Sequence, residues 1–159
     1  MQATFDSLCA RLGESGLRVL HSGPPLPTWP PTPGASVLLV GQAGPEVWPH
    51  FSRSAEYADG QPDPLDRWSE RVIRAAAPDM TFYAPSGGPP YAPIHALAAG
   101  GAFHPSPLGM LAHVEFGLWT AFRGILISPE PVPASKPHPA PDPKVYAPCL
   151  LYTSPSPRD

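Results

Sequence analysis

Arg123 is the residue whose position asks most for a chemical explanation. It lies in the run SPLGMLAHVEFGLWTAFRGILI, residues 106–127, amid apolar neighbours and directly before Gly124. A guanidinium in an apolar row needs a counter-charge, a hydrogen-bonding partner or a ligand. One reading packs its stem at a sheet edge with its head in water. The other aims its planar donors at an anionic or carbonyl-rich group, with Gly124 leaving room for close approach to the backbone. His113, ten residues earlier, is either a satisfied strand-end histidine or a hydrogen-bond donor and general acid beside a cofactor. His104, in HPSPLG, is either a loop cap or a second donor at the same rim. Trp119, with Trp68 and Phe122, is core or the wall of a planar cofactor's site.

Other polar groups have plainer readings. Ser86-Gly87-Gly88 could offer backbone N–H groups to a phosphate, but it lacks the lysine of a P-loop and runs into two prolines without donors. Asp63, Asp66 and Glu70 suit helix capping and solvent better than paired acid-base catalysis. His95 reads as structural, and His21, His50 and His138 have no zinc-site spacing. The chain has no GxSxG, HExxH or CxxC.

These residues need elements to hold them. Leu108–Ala112 and Leu118–Ile127 read as two strands of a hairpin turning near Glu115-Phe116-Gly117, where Gly117 supplies a positive φ. Alternation places Trp119, Ala121, Arg123, Ile125 and Ile127 on one face of the second strand, and Leu118, Thr120, Phe122, Gly124 and Leu126 on the other. Both faces are mainly apolar, so this strand is expected to be interior. Residues 4–12 show helical spacing, 17–21 a short strand, 35–40 (ASVLLV) a buried strand, and 45–57 a helix starting near Pro45. A clearer helix begins with Asp63 as N-cap and Pro64 at its first position, with Leu65, Trp68, Val72 and Ala76 on one face. Residues 80–84 read as a strand and 93–99 as a short helix. The proline-crowded 23–34 is expected to be an extended surface loop.

The whole chain sets limits. At 159 residues it holds one domain at most. A net charge of -3 with 14% charged residues gives no electrostatic grip on nucleic acid or an anionic membrane. Two cysteines, Cys9 and Cys149, make no disulfide framework and no metal cluster. Nothing resembles a secretory leader or a membrane span, so the expected compartment is the cytoplasm.

Two blocks, DPLDRWSERVI (63–73) and HPSPLGMLAHVEFGLWTAFRGILISPEPVP (104–133), resemble the vitamin B12 trafficking and decyanation family and its bacterial ferredoxin-like relatives. A more distant likeness is to the N-terminal half of epoxyqueuosine reductases. The matching pattern is His113, Phe116, Gly117, Trp119, Arg123 and Gly124, with Val114 standing where the family has proline. The resemblance implies an α+β, flavin-nitroreductase-like fold with an antiparallel central sheet and flanking helices. It implies cobalamin (a corrinoid) bound against the sheet with its lower base displaced, and reductive chemistry at cobalt. Arg123 would anchor the ligand, and His113 and His104 would donate at the pocket rim, beside Gly117, Trp119 and Gly124. It leaves room for FMN, for [4Fe-4S] clusters on a C-terminal ferredoxin-like segment, and for a redox partner. An iron–sulfur electron-transfer protein and a non-catalytic interaction domain are the competing readings.

On these expectations the cofactor-binding domain covers 1–128 and is truncated at the C-terminus. A proline-rich linker, with prolines at 129, 131, 133, 137, 139, 141, 143 and 148, covers 129–148. Residues 149–159, CLLYTSPSPRD, resemble the in-frame translation of a transposon sequencing adapter, the alternative being a natural polar extension. On the adapter reading, Cys149 belongs to no biological protein.

Overall fold

The computed structural model of the chain describes residues 2–30 and 32–140. The final part of the expected linker and the 149–159 tail lie outside the described residues. Helix α1 (Gln2–Gly13) leads into β1 (Arg18–Gly23) and β2 (Ser36–Ala43). Two single turns, α2 (Trp48–Phe51) and α3 (Ala55–Ala58), precede α4 (Pro64–Ala76) and β3 (Thr81–Tyr83). A further turn, α5 (Ile94–Leu97), then leads to β4 (Phe103–Pro105), β5 (Leu111–His113) and β6 (Thr120–Ser128). The result is a mixed helix and sheet structure with an antiparallel four-stranded sheet, in the order β1-β2-β6-β3.

Both faces of this sheet are covered, because β2 and β6 are apolar on both sides. Leu38, Val40 and Leu126 pack with Phe82 against α1 and α4, through Leu8, Leu12, Trp68 and Ile73. Val37, Leu39, Ile125 and Ile127 form a second cluster with Leu20, Trp29, Leu97 and Phe103. No helix among the described residues is long and apolar enough to cross a membrane.

Several sequence expectations need correction. The hairpin does not join 108–112 to 118–127. β5 pairs with β4 instead, in the register Phe103↔His113. A tight turn from His113 to Gly117 follows, closed by reciprocal backbone hydrogen bonds of 2.8 Å. Gly117 does take a positive φ, 57°. The helix expected over 45–57 is two separate turns, and the second begins where the Ser54 side chain accepts from Tyr57 N–H. Asp63 occupies the N-cap of α4, but in the left-handed region (φ 50°) with no side-chain cap bond. Aspartate tolerates that conformation better than most residues.

The 129–140 stretch forms no regular element, as its prolines require, yet it does not run free of the domain. Val132 N–H donates to Ser36 Oγ at 3.0 Å and its side chain joins the α-helical side of the core. Ser135 N–H donates to Ser22 O at 2.8 Å, Ser22 N–H donates back to Ser135 Oγ at 2.9 Å, and His138 N–H reaches Gly101 O at 3.3 Å. The segment therefore crosses from the end of β6 to the edge strand β1.

Candidate functional site

Arg123 sits at a β-bulge. The β2–β6 register runs Val40↔Gly124 and then Gly41↔Phe122, which leaves Arg123 as the extra residue. A bulge places two successive residues against one on the partner strand and breaks the alternation of sides. Phe122 accordingly packs with the Ile125 and Ile127 cluster, while Arg123 and Gly124 turn towards α4. The expected grouping of Arg123 with Ile125 and Ile127 is thus overturned by one inserted residue.

The guanidinium is held but not saturated. Its Nε donates to Gln42 Oε1 at 3.1 Å and its Nη1 to Asp66 Oδ1 at 3.3 Å. The arginine side chain is 19% exposed and that of Asp66 61%. Five N–H donors are available on an arginine, so most remain for other acceptors. The residue lines a pocket of about 250 Å³ together with Asp66, Glu70, Phe82, Ser86 and Phe122, and with Ala84 and Pro85. Glu70 is itself engaged at 2.8 Å by Arg74, whose guanidinium lies 4.7 Å over the Phe82 ring.

Gly124 is adjacent to this pocket but does not line it. A Cβ there would lie 2.6 Å from Phe82 Cε2 and 2.8 Å from Ile73 Cδ1. The close approach its missing side chain permits is made by the protein's own core.

The remaining candidate residues lie elsewhere. His113 Nδ1 accepts from Glu115 N–H at 3.1 Å and from Phe116 N–H at 3.3 Å, and the ring stacks on Phe116 at 4.9 Å. An Nδ1 that accepts leaves the proton on Nε2, so His113 organises its own turn. Burial pushes its pKa down, with nearby Glu115 opposing and His138 and Arg18 adding to the fall. His104 lies on β4, and its Nε2 is buried with no partner among the described residues. Gly117 closes the turn. Trp119 is 73% exposed, so the core reading fails for it, whereas Trp68 is buried. Arg123 alone of the six proposed ligand contacts lines the pocket.

Sequence reading missed Asp66, Glu70 and Phe82 as pocket residues. The i, i+4 spacing of Asp66 and Glu70 marks one helix face, but only the sheet shows which face meets Arg123. Ser86 lines the pocket, yet Gly87 N–H already donates to Ala84 O at 3.1 Å. That leaves the loop poorly furnished for a flavin phosphate. Among the described residues no three His, Cys, Asp or Glu side chains come together to hold a metal.

No family model and no curated protein matches this chain.

Proposed function

We propose that this domain binds a small molecule in the Arg123 pocket, and that the molecule is a corrinoid processed reductively at cobalt in a flavin-nitroreductase-like fold. The supporting observation is the bulge that sets an arginine, its side chain 19% exposed and its guanidinium with donors to spare, at a pocket walled by Phe82 and Phe122. The ligand identity rests on the resemblance of 104–133 to the cobalamin-processing family. Sites for drug-sized ligands run from about 300 to 1,000 Å³. A pocket of about 250 Å³ is therefore too small for a corrin ring, and it suits one of the ring's peripheral carbonyl-bearing arms. Arg123 would donate to that arm. Bound cobalt would supply the redox chemistry, and the protein would supply orientation.

A second reading is favoured by the Arg123–Asp66 and Arg123–Gln42 contacts: the arginine is a structural tie in a domain without catalytic chemistry. A titration of the full chain with cobinamide and with cobalamin, followed by cobalt absorption, separates the two. Corrinoid binding predicts a spectral change that Arg123→Met abolishes. An unchanged spectrum at high protein concentration, with Arg123→Met lowering only the melting temperature, leaves the structural tie.

A further inference from the structure

The polar groups at the pocket are not arranged for an anion. The lining carries one positive side chain, Arg123, and two negative ones, Asp66 and Glu70. Arg74 compensates Glu70, so a carboxylate or phosphate reaching Arg123 would enter beside the exposed Asp66 carboxylate, and like charges close together disfavour each other. A cation would meet the guanidinium. What the pocket presents is a donor next to acceptors. Arg123 has N–H groups beyond those given to Gln42 and Asp66. Asp66 uses Oδ1 for Arg123, and Glu70 uses Oε1 for Arg74, while a carboxylate has about four acceptor positions.

From this pattern we infer that the pocket recognises a primary carboxamide: its C=O accepts from Arg123 and its NH2 donates to Asp66. The apolar walls, Phe82, Phe122, Ala84 and Pro85, take the carbon framework that carries the amide. Size agrees. A cavity of about 150 Å³ holds a benzene ring, and this pocket, at about 250 Å³, has space for a ring with an amide on it. The long 3.3 Å Asp66–Arg123 contact and the exposure of Asp66 let the acid shift to share an amide without breaking a buried pair. The inference deepens the proposed function by naming the chemical group read at this site, and it rests on the reading of the pocket as a binding site.

The test uses benzamide and benzoate, isosteric probes that differ in charge and in the NH2 donor. Both are titrated into the 159-residue chain and followed by NMR shifts of the Arg123 side-chain N–H. Benzamide should bind about tenfold tighter than benzoate, the worth of one charge-assisted hydrogen bond. In Asp66→Asn, which keeps shape and removes one negative charge, that preference should vanish or reverse, with circular dichroism showing the fold retained. Equal or tighter benzoate binding by the unaltered protein overturns the inference. So does an unchanged preference in Asp66→Asn, or no shift with either probe. Cobinamide titrated in parallel separates the two proposals: benzamide selectivity without corrinoid binding keeps the carboxamide site and removes the corrinoid, and corrinoid binding without amide selectivity does the reverse.

Discussion

Replacing Gly124 with alanine tests the packing that fixes Arg123 in place. Gly124 lies next to the bulge, and the added methyl would meet Phe82 Cε2 at 2.6 Å and Ile73 Cδ1 at 2.8 Å. Both are far ends of side chains, so they can give way, but Ile73 is fully buried and Phe82 nearly so. Overpacking a dense core costs about 1–3 kcal/mol. Reducing unfolded-chain entropy by Gly→Ala returns about 0.4–1 kcal/mol where the backbone allows it. The expected net loss is about 1–2 kcal/mol in urea unfolding at constant m-value. Ile73→Val removes the Cδ1 that the new methyl meets, at a cost of about 0.5–1.5 kcal/mol alone. The double variant should therefore be less destabilised than the sum, with a coupling of about 0.5–1 kcal/mol. Gly41→Ala gives the contrast: its Cβ would run into the Ala121 carbonyl oxygen, which is strand backbone. It should lose more stability than Gly124→Ala. A Gly124→Ala protein as stable as the parent, or strict additivity with Ile73→Val, would refute this account of the α4–β6 contact.

Two pH effects follow from the same structure. The Arg71 guanidinium, 2.5 Å from Glu56, is the main cause that holds the Glu56 carboxyl down at about 2 against an ordinary 4.5. Stability from this pair is complete above about 4.5 and is lost as pH falls towards about 2. Glu56→Gln should flatten that slope in acid unfolding curves and cost no more than about 1 kcal/mol at neutral pH, because solvent screens surface pairs. Burial lowers the pKa of His21 from 6.5, and its Nδ1 has no partner among the described residues. The unfolded chain takes up the proton first, so stability should fall as pH drops below 6.5. His21→Asn, which does not titrate, should remove part of that fall. Gly101, whose added Cβ would strike the His21 ring, should reject alanine in a thermal melt.

Much of the scaffold is local in origin and so could be read along the chain. Pro64 after Asp63, with Leu65, Trp68 and Val72 at helical spacing, specifies α4 without help from the rest of the molecule. Apolar runs with no polar alternation identify β2 and β6 as interior strands, and both are. The strand expected at 80–84 and the short helix at 93–99 exist as β3 and α5. The site is different in kind. The side of β6 that Arg123 takes depends on one residue inserted opposite Val40 and Gly41, a property of two strands 81 residues apart in sequence, as the Gln42–Arg123 bond measures. Period-two counting assumes an unbroken ladder, and a bulge in a distant partner leaves no mark on it. For the same reason the pairing of β5 with β4 and the exposure of Trp119 came only from the folded chain. Composition and local spacing determined which strands are interior; the partner each segment found decided which way its polar side chains face and that Trp29 of the proline-crowded loop is buried.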